Sequence, residues 1–283
     1  MKKLSYLMLF LLSAIMYGCA ETEQPYVGYI IVERAVVDAA AGSTATVVAD
    51  TDISSSIFVQ VEDGADWCQV AANGKNITVT ATAANTAEAF RTATVYVKCG
   101  YRETTFTVLQ KFDGQEYLQY DWTRWTATGN SVEAGDGGGY PSLFTENRGE
   151  YWHSQYSGGS VPLPYVIVVD MKEELEVAKF DIGRRYYSGT GNNYGTVKTL
   201  NIYASTDNEN FTAVGGFTFA LPWTAPDGTV VGSGSFLSPL IPAFEEVVPT
   251  APVTARYIKL EITETNTGNN VAQISYFKAY EKI

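Results

Sequence analysis

Short runs of alternating apolar and polar residues limit what this chain can become. In Ile77-Thr78-Val79-Thr80-Ala81 the apolar Ile77 and Val79 fall on one side and the threonines on the other. Successive side chains of a strand point to opposite faces, so such a run reads as a half-buried strand. Thr94-Val95-Tyr96-Val97-Lys98 and Thr105-Phe106-Thr107-Val108-Leu109 repeat the pattern. Asn73-Gly74, between Val70 and Ile77, is a hairpin signal. No long helical period appears between residues 29 and 110. Further along, residues 166–170, 177–183 and 199–205 read as strands. The 19 Tyr and 13 Phe suit strands, and the 25 Gly suit many turns. The expectation is an all-β protein.

The first residues stand outside that pattern. Lys2 and Lys3 make a basic start, residues 4–15 are mostly apolar, and Met16-Tyr17-Gly18-Cys19 closes the segment. That is the layout of a secretory signal peptide, with an apolar core too short to span a bilayer comfortably. Gly18 directly before Cys19 resembles the bacterial lipobox, and Tyr17 departs from it, since a smaller residue is commoner there. Glu21 and Glu23 resemble the acidic surface-export tag of Bacteroidetes lipoproteins. The resemblance implies lipidation at Cys19 and a place on the outer membrane, facing the cell surface, with the membrane touched only through the lipid. The expected divisions are a signal peptide at 1–19, a tether at 20–27, one domain at 28–110, a linker at 111–115 marked by Asp113-Gly114, and a second domain at 116–283.

A net charge of −12 argues against nucleic acid as a partner, because phosphates need Lys and Arg to neutralise them. Catalysis also finds little support. His153 is the only histidine. Zinc would need several His or Cys ligands, and Cys68 and Cys99 fall in the other domain. Gly232-Ser233-Gly234-Ser235 reads as loop rather than as a nucleophile turn between strand and helix. Acidic residues are plentiful without a recognisable catalytic pairing. The Gly-rich stretch 133–139 lacks the Lys-Ser/Thr of a phosphate cradle. A non-enzyme is expected.

Trp67, residues 77–80, Asn85, Arg91-Thr92-Ala93-Thr94-Val95 and Leu109-Gln110 resemble a BACON domain, an immunoglobulin-like sandwich. Such domains resemble sugar binders by association, but no aromatic cluster here falls outside the alternating core pattern, so a spacer role is expected. Export would permit a disulfide between Cys68 and Cys99. Cys68 follows a core-facing Trp67 and so points to the opposite face, which favours two free thiols.

The second domain carries five motifs in order: Trp122-Thr123-Arg124-Trp125; Tyr151-Trp152-His153-Ser154 before an apolar strand ending at Asp170; Thr206-Asp207-Asn208-Glu209-Asn210-Phe211; residues 255–261; and a closing strand over 274–280. Together they resemble the discoidin (factor 5/8 type C) domain and, within it, the family 32 carbohydrate-binding modules. The resemblance implies a discoidin jelly-roll sandwich that holds a galactose-type glycan through its loops. His153, Arg185 and Asn192 or Asn193 would supply hydrogen bonds, and Arg and amide groups suit adjacent hydroxyls. The aromatic platform would come from Tyr156, Tyr186, Tyr187, Tyr194 or Trp223. Trp152 is expected in the core, with His153 toward the ligand. The family's calcium loop aspartate falls on Thr145, its loop threonine on Glu150 and its closing acidic ligand on Tyr276. Calcium should therefore bind weakly or not at all, with Glu146 and Glu150 the remaining candidates; no other cofactor is implied. Residues 221–253 are long for a connection and rich in proline, the mark of a functional or mobile loop. Their apolar part, 236–244, supports a second reading, protein recognition within an outer-membrane glycan-uptake complex.

Overall fold

The computed structural model describes residues 26–62, 65–159, 161–232 and 237–283. Cys19, the signal segment and residues 20–25 of the tether lie outside the described residues, as does Phe236. Among the described residues every regular element is a strand, apart from one 3-10 turn, Tyr140–Phe144. The chain divides into two compact units between Gly114 and Gln115.

The first unit is a sandwich of two sheets. One is ordered Ala35–Val37, Arg102–Gln110, Arg91–Cys99, Ile57–Val61, and the other Thr44–Val48, Asn76–Ala81, Cys68–Asn73. Its core is the inward half of the alternating runs: Ile77, Val79, Val95, Val97 and Val108 have no solvent exposure. One turn differs from the sequence reading. Asn73 pairs with Asn76, so the turn residues are Gly74-Lys75, with Gly74 at φ +61° where only glycine is comfortable. Cys68 and Cys99 are buried free thiols on different sheets.

The second unit packs a five-stranded sheet on a four-stranded one. The order is Thr126–Gly129, Tyr165–Val177, Val253–Thr265, Val197–Ser205, Thr212–Thr218 in the first. In the second it is Tyr117–Gln119, Phe277–Lys282, Lys179–Gly183, Phe244–Val247. Ile167, Val169, Leu200, Ile202, Ile258, Leu260 and Ile262 of one sheet meet Phe180 and Phe277 of the other in one core, with Trp152 among them. The closing strand starts at Phe277 rather than at residue 274. Gln273–Ile274 pairs instead with Trp152–His153, because Ser275 turns inward to donate to the Arg184 carbonyl.

The described residues of the long connection are built into the fold. Phe244–Val247 is the edge strand of the four-stranded sheet, and Leu237–Ser238 joins a small third sheet with Tyr186–Tyr187 and Asn192–Tyr194. Phe219, Val231 and Ile241 form a core of their own beneath it. Arg184 latches the segment, donating to the Pro242 carbonyl at 2.9 Å and pairing with Glu245.

Candidate functional site

The small three-stranded sheet sorts the predicted site residues by face. Tyr186 lies opposite Asn193, and Tyr187 opposite Asn192; Tyr194 lies opposite Leu237. Paired residues share a face and neighbours along a strand alternate. Asn193 and Tyr186 thus face inward, while Asn192, Tyr194, Tyr187 and Leu237 share the outward face. Arg185 joins the outward set, its carbonyl accepting the Tyr194 N–H at 3.0 Å.

Arg185 is the centre of that face. Its guanidinium lies 3.9 Å from the Tyr151 ring centroid and 4.6 Å from that of Tyr194. Such stacking holds the planar cation on its faces and leaves the N–H edge for a ligand. Tyr151 is buried and donates its hydroxyl to Asp136. Burial first, and that carboxylate second, push the Tyr151 phenol far up, so it stays neutral.

His153 continues the row. Its ring centroid is 6.2 Å from Tyr151 and 4.8 Å from Tyr156. It is not a surface histidine: it is 5% exposed, because strand Trp152–His153 is covered by Gln273–Ile274. Nδ1 lies 2.6 Å from the Ser154 carbonyl, which can only accept, so Nδ1 carries a proton, and in the neutral ring Nε2 then holds the lone pair. Among the described residues only Asp181 Oδ1 and Gln273 Oε1 are enclosed side-chain polar atoms without a hydrogen-bond partner. Nε2 is not among these enclosed atoms and no described residue bonds it, so in the neutral ring it is an unspent acceptor. Gln273, opposite His153 in the ladder, lines a cavity of about 10 Å³ together with Tyr194. That is room for one water at most.

Glu133 anchors the loop that carries Tyr156. Its carboxylate accepts the backbone N–H groups of Tyr156 (3.0 Å) and Ser157 (2.9 Å) and the Ser157 hydroxyl (2.7 Å). The Ser157 hydroxyl, then these backbone donors, pull its pKa down to about 2. Tyr156 is left 51% exposed over His153, with Asp136 accepting from its hydroxyl at 3.3 Å.

Three predicted residues are placed otherwise. Asn193 has no free polar end: its Nδ2 donates to the Ile241 carbonyl at 2.7 Å and its Oδ1 accepts from Arg148 at 2.8 Å. The asparagine on the open face is Asn192, whose Nδ2 reaches only Thr190 Oγ1 at 2.9 Å. Trp223 is half-buried and packs on Phe219, centroids 5.6 Å apart, against the small core under the long connection. Tyr186 lies on the inner face beneath Arg148. Of the calcium candidates, Glu146 is bound through both oxygens by Lys278 (2.9 and 3.1 Å), and Glu150 accepts from Asn147 at 3.2 Å.

Sequence reasoning missed Tyr151, Glu133, Asp136 and Arg148. Tyr151 adjoins the Trp-His motif, but its role depends on Arg185, brought to it from 34 positions away by the fold. The larger grooves lie elsewhere. One of about 400 Å³ in the first unit is lined by residues 53–57 and 72–75 with Thr51, and offers hydroxyls but no aromatic face.

The F5/8 type C domain family matches residues 124–277. BACON, described as an N-terminal binding domain, matches residues 56–111. No curated protein matches the chain. Among solved structures, a family 32 carbohydrate-binding module from C. perfringens in complex with galactose is similar at 22% identity and a TM-score of 0.43, over 58% of this chain and 99% of that one. The C-terminal domain of a chitobiase from Bacteroides fragilis is similar at 25% identity and 0.42, over 59% and 99%. A SusE-like protein is similar at 17% identity and 0.46, over 90% and 97%.

Proposed function

The chain belongs to the F5/8 type C domain family, and on that premise we propose that it is a non-catalytic glycan-binding protein whose site is the face around Arg185. The observation that carries this reading is the guanidinium held between Tyr151 and Tyr194. Its free edge suits two adjacent hydroxyls of a sugar. His153 Nε2 adds an acceptor, Asn192 an amide, and the exposed rings of Tyr156 and Tyr187 offer cover for the apolar face of a sugar ring. A galactose-type residue is the ligand implied. The carboxylates here support binding rather than acid–base work: Glu133 is held ionised by three donors, and Asp136 accepts from two tyrosines.

A monosaccharide of about a dozen heavy atoms gains roughly −4 kcal/mol at about −0.3 kcal/mol per atom. That is a dissociation constant of roughly 1 mM. Display of many copies on a surface would turn this into useful avidity. We therefore keep with this reading a lipid anchor at Cys19, an outer-membrane location and a spacer role for the first unit. A glycan array on the whole chain, beside Arg185→Ala, tests the binding; silence of the unaltered chain across the array ends this reading. Mass spectrometry of the exported protein tests the anchor, and an unmodified Cys19 ends that part.

A second reading has one observation in its favour. Leu237, Leu240 and Phe244 of the long connection are each about two-fifths exposed. They would suit a protein partner in a glycan-uptake complex. Capture of an outer-membrane protein that is lost in Leu240→Ser and Phe244→Ser, with glycan binding unchanged, would favour it.

A further inference from the structure

Arg148, in the loop 145–150, gathers oxygens from three other segments of the domain. Arg148 is half-buried. Its Nε and Nη2 donate to the Arg184 carbonyl at 3.2 and 2.9 Å. Nη2 also reaches Asn193 Oδ1 at 2.8 Å and the Ala243 carbonyl at 3.1 Å. Three acceptors from three separate segments converge on one guanidinium. The ionisable groups beside it are Tyr276, Tyr186 and Arg184, none of them a carboxylate. Arginine does not deprotonate in proteins, so the charge stays and the carbonyl and amide dipoles must balance it.

The residues here do not fit a metal ion. Calcium takes about six to eight oxygens, carboxylates among them. Glu146 pairs with Lys278, Glu150 accepts from Asn147 through one oxygen, and the Tyr276 phenol is pushed up to about 12 by burial and so stays neutral. Among the described residues no group of three His, Cys, Asp or Glu could hold one.

The acceptors that Arg148 holds stand next to the candidate site. The Arg184 carbonyl belongs to the peptide leading into Arg185, and Ser275 Oγ donates to it as well at 2.8 Å. With that carbonyl pinned, the direction of Arg185 is set. Asn193 precedes Tyr194, so fixing its side chain inward fixes the tyrosine outward. Ala243 brings in the long connection. We propose that Arg148 is a built-in cation that positions the site: its guanidinium ties the 184 and 243 carbonyls to the Asn193 side chain, needs no metal ion to do so, and sets the Arg185–Tyr194 stack. Its consequence for affinity rests on the glycan reading above; its consequence for the loops does not.

The test uses the whole chain as wild type, Arg148→Ala and Arg148→Lys, with hydrogen exchange, thermal melting and glycan titration. The Tyr194 and Tyr186 amides, bonded to the Arg185 and Arg148 carbonyls, are the reporters. In wild type, calcium or a chelator should leave melting and exchange unchanged. Arg148→Ala should melt at least about 4 °C lower. Its Tyr194 amide should exchange at least tenfold faster, and millimolar guanidinium should slow it again by refilling the oxygens. Arg148→Lys keeps the charge without the fork, so it should fall between and gain nothing from guanidinium. If Arg148→Ala does not fold, the Arg148→Lys exchange rate decides. Wild-type exchange in the variants, failure of guanidinium to rescue, or a calcium-dependent rise in the wild-type melting temperature each overturns the proposal. If no glycan binds wild type, the exchange and rescue results still stand or fall by themselves. If one binds, Arg148→Ala should weaken it as far as Arg185→Ala does.

Discussion

The guanidinium of Arg185 stacks on the ring of Tyr151 at 3.9 Å, across a gap of 34 residues in the chain. The Tyr194 ring lies 4.6 Å from the same guanidinium. The two tyrosines leave the cation one open direction, its edge. Among the described residues of this face no other side chain combines such stacking with unspent donors.

Arg185→Ala should therefore cost binding more than stability. Hydrogen bonds to a charged group contribute about 1.5 kcal/mol at the low end, which is roughly a tenfold rise in Kd. Arg185→Lys should recover little, since a point charge lacks the fork. Calorimetric titration with the best glycan from the array reads both. Unchanged affinity in Arg185→Ala would remove this mechanism and leave the fold untouched.

The two asparagines should separate cleanly. Asn193→Ala leaves the Ile241 carbonyl unpaired and removes one of the three acceptors of Arg148, at a cost of about 1–3 kcal/mol. Its melting temperature should drop, whereas Asn192→Ala should melt as wild type and bind glycan more weakly. Paired melting and titration curves on the two variants decide the assignment, and the reverse pattern would refute it.

Acid should loosen the Tyr156 loop. The Glu133 pKa is lowered from the usual 4.5 to about 2 by its hydrogen bonds. A depressed folded-state pKa contributes stability that is present above the unfolded value and lost as pH falls through the folded one. The contribution of Glu133 should thus be full above about 4.5 and fade toward about 2. Glu133→Gln should melt below wild type at neutral pH, with the difference shrinking across that window. A difference independent of pH would show that the charge of Glu133 is not what holds the loop.

Cys68 and Cys99 should be silent toward a thiol reagent until the first unit unfolds. Both are buried, and burial raises the Cys68 pKa, so little thiolate is available. Stopped-flow labelling in increasing denaturant should track the unfolding transition. Rapid labelling of either residue in native buffer would contradict their placement.

Much of the architecture could be read from residue order. Alternation at 77–81 and 94–98 names strands and also says which residues go inside, because a pleated strand has only two faces. Trp152 is fully buried where the sequence put it. What alternation cannot supply is phase in elements of two or three residues. Asn192-Asn193-Tyr194 is too short to carry a pattern, and either asparagine could face out. The pairing of Asn193 with Tyr186 and the pull of Arg148 and Ile241 decide it. The same holds for Arg148 itself, which reads in sequence as one more charge in a polar loop. Its role exists only because carbonyls 184 and 243 and the side chain of residue 193 arrive at one point. Local sequence determines which face of a long strand is buried; only the tertiary fold brings distant polar groups within hydrogen-bonding distance, and polar sites are made of those meetings.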